Sequence, residues 1–561
     1  MGNIVAGEVG TAEFGTPGYA VINYLYGDCD GFQSYVRGGR DTVLGGDFSA
    51  DNYLYGDAGF MAGSSTGGHD RLVGGNSAHN TFFGDAGSMV DALGGADTII
   101  AGPFGINLGY GDAKSMTGIS RGGADSIIGA LHATLDVPNA TSNSFYGDAD
   151  TMADSAIGGR DTLLGGDSGA TNALYGDARL MTGTARGGND VLVGGNNTTS
   201  AIATGQNLLA GDAYGMADSV SGGADSIVGG NGVSNFLFGD AAAVMTDYAK
   251  GGKDTLVGGT GVTNFLHGDA NSMHHFSRGG ADLIKGADGS SNIAYGDAFQ
   301  MQDAVLGGYD TLHGGNGANA TNTLVGDGLV MLGSARGGAD RIIGGVDADN
   351  GDLGSLIGDG ATMLDSTRGG ADTISGGDGA STNLVFGDAY SMAALAVGAG
   401  DHLLGGGGTS ANRIFGDAYS MHGSARGGHD TIMAGGGSST NFLYGDAFEM
   451  HGTARGGNDR LVSSANKNDA MWGDAVTYDA TVIRGNDVFV FTPSNGYDVI
   501  ADFQTAKDKV DLTAFASVGI HAFADVVTSK LGTSGVIDFG GGHGIEFTGF
   551  FAFKATDFLF A

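Results

Sequence analysis

The sequence predicts an all-β fold: a parallel β-solenoid, β-roll or β-helix-like, of about sixteen coils closed by a C-terminal β cap. Three observations predict it. A Gly-Asp pair returns sixteen times in one register, from Gly27-Asp28 to Gly473-Asp474, mostly every 29 residues, and periods of this size mark solenoids or propellers. A second Asp follows each pair, mostly within Gly-Gly-x-Asp, and the separation is 13 residues in fourteen of the sixteen copies. Glycine supplies 112 of 561 residues without a Gly-x-y period, which excludes collagen.

Taken in order, residues 1–22 form an N-terminal cap, 23–487 the repeats, and 488–561 a terminal region of different pattern. The repeat consensus is N-x-L-(Y/F)-G-D-A-x-x-M-x-x-x-x-R-G-G-x-D-x-(L/I)-x-G-G, followed by a linker; Asn172 to Gly195 is a full copy. The segments N-x-L-Y and D-x-L-x alternate as strands do, and each stops at Gly-Asp or Gly-Gly, a turn signal. Two strands per coil are therefore expected, stacked on their counterparts in neighbouring coils. Leu54, Leu163, Leu174, Leu256, Leu266 and Leu403 should point inward. The Asn, present in fourteen copies, should form a ladder of side-chain amides.

The position before Gly-Asp is aromatic in twelve copies, among them Tyr55, Tyr110, Tyr146, Tyr175, Phe415 and Trp472. By strand parity it faces away from the Leu column. Fourteen of seventeen Met residues sit four or five positions after the Asp, as Met61, Met181 and Met450 do. So fixed a Met is a packing residue. The A-x-x-M arm is expected to make about one helical turn and fold over the aromatic column, giving a second core; a binding stripe is the other reading. Length variation is confined mainly to the linkers, longest at Ala130–Ser142 and Asn196–Gln206.

The net charge of −37 is almost all Asp, since Glu occurs only at positions 8, 13, 449 and 546. This sign argues against nucleic acid as a partner. It is compatible with cation binding. A single Cys, Cys29, excludes an intrachain disulfide. The first twenty residues have neither a basic nor an apolar signal region, so a Sec-type signal is not expected. No run reaches transmembrane length, so membrane insertion is not expected.

Stacking sets identical carboxylates about one strand spacing apart, where bare charges repel by roughly 1 kcal/mol even in water. One column comprises Asp41, Asp70, Asp97, Asp125, Asp161, Asp190, Asp225, Asp254, Asp282, Asp310, Asp340, Asp372, Asp401, Asp430, Asp459 and Asp487. The other comprises Asp28, Asp57, Asp85, Asp112, Asp148, Asp177, Asp212, Asp240, Asp269, Asp297, Asp327, Asp359, Asp388, Asp417, Asp446 and Asp474. A basic residue stands four positions before the second Asp in nine copies: Arg37, Arg121, Arg186, Lys250, Arg278, Arg336, Arg368, Arg426 and Arg455. Nine cations cannot neutralise both columns, although local charge compensation is their expected role. Oxygen-only donors among Gly-rich turns select a hard cation, Ca²⁺ above Mg²⁺. The first column is the preferred ligand set, the second the weaker one, each of its members being equally suited to capping a turn.

The segments RGGNDVLVGG (186–195), RGGADTISGG (368–377), RGGHDTIMAGG (426–436) and RGGNDRLV (455–462) resemble the repeats-in-toxin (RTX, hemolysin-type) nonapeptide, which binds Ca²⁺ in a parallel β-roll. The resemblance implies Asp190, Asp372, Asp430 and Asp459 as side-chain ligands, with Gly carbonyls completing the shell. Here the leading Gly-Gly-x-Gly is contracted to Gly-Gly-x, and the half-coils run about 11 and 18 residues, so this is an expanded variant. The segments from Asp487, Asp498 and Asp508 and the ending Asp557-Phe-Leu-Phe-Ala561 resemble the C-terminal capping and type I secretion region of serralysin-like proteins. The resemblance implies export by type I secretion machinery and folding on Ca²⁺ outside the cell, at the cell surface or in the medium.

No catalytic constellation stands out. No His is followed by Glu, and the two G-x-S-x-G matches, Gly63–Gly67 and Gly118–Gly122, lie in the arm and not at a strand-to-helix elbow. The only His cluster is His274-His275. The expectation is a non-enzymatic calcium-binding protein with a structural or surface role: matrix, surface-layer-like or adhesin. Self-assembly or cell-surface polysaccharide would be its partners. The alternative is a glycan-binding or polysaccharide-active solenoid enzyme.

Overall fold

The computed structural model describes residues 4–6, 21–29, 31–130, 141–167, 169–197, 205–351, 354–465 and 467–561. It is a parallel β-solenoid of about 16 turns with coils of roughly 29 residues. The chain divides into two compact units, Met1–Ile284 and Lys285–Ala561.

In unit 1 each coil contributes to three parallel ladders. The N-x-L-Y segments form strands such as Ile106–Tyr110, Ser142–Tyr146 and Thr171–Tyr175, paired residue for residue so that Asn107, Asn143 and Asn172 align. The D-x-L-x segments pair likewise, Ser126–Ile128 with Thr162–Leu164. The strand Ile4–Ala6 adds to Thr42–Leu44 at the N-terminal end of this ladder; most of the expected cap at 1–22 lies outside the described residues. One-to-one register survives coil lengths of 36 residues (Asn107 to Asn143) and 35 residues (Asn172 to Asn207), because the linkers take up the difference. The expected insertions at Ala130–Ser142 and Asn196–Gln206 fall largely outside the described residues.

The third ladder corrects the reading of the arm. The A-x-x-M segment is not a helical turn but a strand, as in Ala113–Thr117, Ala149–Met152 and Ala178–Met181. A four-residue arm is too short to repay helix nucleation, whereas pairing with the next arm satisfies its backbone groups. Ala149 and Met152 are fully buried, while the two residues between them are partly exposed. Two residues beyond the Met the chain turns through positive φ, 61° at Asp154 and 74° at Gly183, which accounts for the Asp and Gly found there.

The Leu column is buried as expected, with Leu54, Leu163, Leu174, Leu256 and Leu266 at 0% exposure. Burying each such side chain is worth about 1.5–3 kcal/mol. The Asn ladder is present. Asn172 Nδ2 donates to Asn207 Oδ1 (2.9 Å) and to the Gly166 carbonyl (3.0 Å), and its Oδ1 accepts from Gly166 N–H (2.8 Å) and from Asn143 (2.9 Å). All four bonding positions of that amide are filled.

Unit 2 repeats this plan. Its Asn ladder runs Asn292, Asn322, Asn350, Asn383, Asn412, Asn441. The coil at Asn350 splits its strand into Asp349–Asn350 and Ser355–Ile357, so the ladder residue keeps its place although the spacing to Gly-Asp is altered. The ladders run on past residue 487. Val488–Val490 pairs with Arg460–Val462, Lys509–Asp511 pairs with Val488–Val490, and Phe558–Leu559 closes the series. Val527–Leu531, Ser534–Gly540 and His543–Phe547 form an antiparallel meander, whose last strand pairs in parallel with Tyr497–Ile500.

Candidate metal centre

Two turns bring the carboxylates together. The Gly-Asp turn ends the N-x-L-Y strand; the Gly-Gly-x-Asp turn precedes the D-x-L-x strand. Within each coil the Gly-Asp carboxylate accepts the backbone N–H at the second Gly of Gly-Gly-x-Asp, so the intervening arm is closed into a lobe. In unit 1 these bonds measure 2.6 to 3.0 Å from Gly39 to Asp28 through Gly280 to Asp269. In unit 2 the same bond joins Gly308 to Asp297 (2.8 Å), Gly338 to Asp327 (2.7 Å) and Gly485 to Asp474 (2.5 Å), and Ala399 donates to Asp388 in place of Gly (2.8 Å).

The Gly-Gly-x-Asp column makes a different bond, from coil to coil. Oδ1 of Asp190 accepts the backbone N–H of Asp161 (2.7 Å), Asp225 accepts that of Asp190 (2.7 Å), and Asp254 that of Asp225 (2.7 Å). In unit 2 the chain of bonds runs from Asp310 to Asp508.

Each carboxylate has a second oxygen. In unit 1 Oδ2 of Asp70, Asp97, Asp125, Asp161, Asp190, Asp225 and Asp254 is buried and accepts no hydrogen bond; in unit 2 the same holds for Asp340, Asp372, Asp401, Asp430, Asp459 and Asp487. In the Gly-Asp column one oxygen of Asp57, Asp85, Asp177, Asp212 and Asp240, and of Asp327, Asp359, Asp388, Asp417 and Asp446, meets no backbone, amide or hydroxyl donor, and carboxyls of successive coils in this column, such as Asp177 and Asp212, face each other directly. Asp177 and Asp212 have 0% exposure. Unsolvated carboxylate oxygens in such numbers are costly unless a proton or a cation meets them.

At the start of unit 1 the two columns converge. One carboxylate oxygen each from Asp28, Asp41 and Asp57 lies within 4.8 Å of the others, so a Gly-Asp residue, its partner in the same coil and the Gly-Asp residue of the next coil share one locus. The surrounding glycines make this possible. A Cβ on Gly122 would run into the carboxylates of Asp148 and Asp112, and one on Gly56 into the Gly84 carbonyl and Asp70 Oδ2. A groove of about 450 Å³ lies along Gly122-Gly123, Gly158-Gly159 and Gly187-Gly188.

Burial pushes these carboxyls upward, and the neighbouring carboxyls add to it. Asp57 rises to about 7 and Asp70 to about 8; in unit 2 Asp401 rises to about 7 and Asp459 to about 8. Asp85, Asp177, Asp240 and Asp430 are also driven well above the ordinary carboxylate range. Carboxyls of successive Gly-Asp residues, Asp57 and Asp85 among them, interact directly, a contact that is favourable once a proton or a cation lies between them.

The sequence reading missed the C-terminal extension of the columns. Asp508 accepts the N–H of Asp487 (3.1 Å), and Asp502 accepts those of Gly473 (2.7 Å) and Asp474 (3.0 Å). The D-x-V pattern of Asp508-Lys509-Val510 carried the signal. The basic column does not compensate the carboxylates as expected. Its members are exposed and form no ion pair among the described residues, whereas Arg484, outside that column, pairs with Asp474 (3.4 Å). The Ser residues of the G-x-S-x-G matches are turn caps, Ser65 Oγ donating to the Ala62 carbonyl (2.6 Å) and Ser120 Oγ to that of Thr117 (2.8 Å). His422 and His451, 29 residues apart, stack at 5.1 Å, a pairing visible only after the repeats are aligned.

The aromatic column is a second core. Tyr26, Tyr55, Phe83, Tyr110, Tyr146 and Tyr175 stack in succession with ring centroids 4.5 to 5.4 Å apart. In unit 2 Phe386, Phe415, Tyr444 and Trp472 do the same. The arm covers it through the residue after the conserved Ala position, as Ala242, Leu329, Tyr419 and Phe448 show, with the Met itself fully buried.

The chain matches no protein-family model, no curated protein and no solved structure. The class that fold and site define is therefore a parallel β-solenoid with two buried Asp columns.

Proposed function

We propose that this is a calcium-binding repeat protein whose solenoid folds when Ca²⁺ meets its two Asp columns, with a structural role outside the cell as matrix, surface-layer-like or adhesive protein. The observation that carries the reading is the row of buried Gly-Gly-x-Asp carboxylate oxygens without hydrogen bonds, beside a second buried row whose carboxyls press on one another. Their donor chemistry, hard anionic oxygen supplemented by Gly carbonyls, suits Ca²⁺. Asp190, Asp225 and their counterparts would hold the ion together with Asp177 and Asp212 of the facing column. Bound Ca²⁺ would supply the positive charge that makes two stacked carboxylate rows compatible with burial.

Binding only to the folded form would draw folding forward by mass action. Weak individual sites suffice, since extracellular modules operate around 10⁻⁴–10⁻³ M. Low cytosolic Ca²⁺ would then keep the chain unfolded for passage through type I secretion machinery, in line with the resemblance of its C-terminal region.

The test is far-UV circular dichroism and hydrodynamic radius of the full chain in chelator, followed by titration with Ca²⁺ and with Mg²⁺. The expected result is an expanded chain at pH 8 that compacts with Ca²⁺ and much less with Mg²⁺. A compact β protein in chelator, unchanged by Ca²⁺, would overturn the reading.

A further inference from the structure

Among the described residues the side chains of the basic column form no ion pair. In unit 2 Arg336 and Arg368 are bridge partners on adjacent coils, Val397 follows, and Arg426 and Arg455 are again direct partners. All four arginines are exposed, and among the described residues none forms an ion pair. Like charges directly opposite one another on paired strands are unfavourable. The Asp columns do not offset this: the strongest influences on Asp372 and Asp430 are burial, other carboxyls and backbone amides. A chain of net charge −37, with 25 basic residues in all, thus sets four cations in single file.

We propose that this arginine file is a docking surface for a linear acidic glycan, a chain carrying a carboxylate or sulfate about once per sugar. Charge complementarity and spacing support that occupant. The file sets four cations over five coils, ~4.8 Å apart within each pair and ~9.6 Å apart across Val397, a spacing of the same order as that between the charges of such a glycan. Duplex nucleic acid carries a charge every ~1.7 Å of helix axis, or ~3.4 Å along one strand, a closer spacing than that of the file. Exposed guanidinium groups suit paired contacts with carboxylate or sulfate oxygens.

The test uses the full chain in Ca²⁺ and fluorescence anisotropy with labelled oligogalacturonate, dextran sulfate, neutral dextran and duplex DNA. The expected result is salt-sensitive binding to one or both acidic glycans and none to neutral dextran. The variant Arg336→Gln/Arg368→Gln/Arg426→Gln/Arg455→Gln should lose about tenfold or more in affinity. Arg341→Gln/Arg413→Gln, which removes two exposed cations off the column, should bind as the parent does. Circular dichroism of each variant shows that the fold is kept. No binding to either acidic glycan, equal binding by the four-site variant, or DNA bound as tightly as glycan would each overturn the proposal. Calcium-driven folding is read separately by circular dichroism, so failure of one reading leaves the other standing.

Discussion

Oδ1 of Asp190 accepts the backbone N–H of Asp161 one coil away at 2.7 Å, while Oδ2 of the same carboxylate is buried without a hydrogen bond. One side chain thus combines a structural bond with a buried oxygen that only a proton or a cation can meet. Asp190→Asn separates the two. The amide oxygen keeps the bond to Asp161, and the charge is removed. The variant should be more stable than the parent in chelator, by roughly 1–3 kcal/mol at neutral pH, and should need more Ca²⁺ for full compaction. Thermal melts in chelator and Ca²⁺ titrations check both. A variant less stable in chelator would show that the carboxylate serves the fold without a cation.

The raised carboxyl pKa values set a pH dependence. Asp57 and Asp401 rise to about 7, Asp70 and Asp459 to about 8, from 3.8. For a carboxyl raised on folding, the protonated form belongs to the folded state. Its stabilisation is complete below the unfolded value and is lost as pH rises through the folded one. The cation-free protein should therefore be compact at mildly acidic pH and expand between about pH 6 and 9. Ca²⁺ should abolish the expansion and release protons on binding at pH 6, measurable by titration in two buffers of different ionisation enthalpy.

The glycine that lies between the carboxylates is as exposed to test as the carboxylates themselves. A Cβ at Gly122 meets the side chains of both Asp148 and Asp112. Gly122→Ala should displace those carboxylates, weaken Ca²⁺-induced compaction and lower the melting temperature in Ca²⁺. Gly261, beside which a Cβ meets nothing within 4 Å but whose φ is +75°, is the control for backbone strain alone. Gly261→Ala should cost about 1 kcal/mol and leave the Ca²⁺ midpoint unchanged.

Much of this architecture is legible in the sequence because each coil repeats its own constraints. Asn172, Leu174, Asp177 and Asp190 recur in fixed register, and the structure places them as amide ladder, core, turn cap and column. The arm was not legible. A-x-x-M is compatible with a helical turn or a strand, and its partner is the arm of the next coil, a contact that local sequence does not encode. Nor was the convergence of the columns. Thirteen residues along the chain separate Asp177 from Asp190, and only the bond from Gly188 N–H to Asp177, at 2.8 Å, shows that the arm between them closes on itself.

The Asn ladder tests whether coil-to-coil order depends on polar satisfaction apart from any cation. Asn172 bonds to Gly166 through both N–H and C=O, and to Asn143 and Asn207. Asn172→Ala would leave buried backbone groups of Gly166 without partners, at a cost of about 1–3 kcal/mol for each group. Asn172→Asp would keep the acceptor and lose the donor. A natural case exists at Asp469, which accepts from Asn441 at 2.8 Å and from Ser464 N–H at 2.6 Å. Asp469 succeeds because serine hydroxyls supply further donors, Ser464 Oγ reaching it at 2.9 Å. At position 172 the donors are fixed backbone and amide groups. Asn172→Asp should therefore destabilise the Ca²⁺-loaded protein at pH 8 nearly as much as Asn172→Ala, and less at pH 5, where a protonated Asp regains a donor. Melting temperatures at the two pH values decide it; equal losses at both would show that the ladder is held by its acceptors alone.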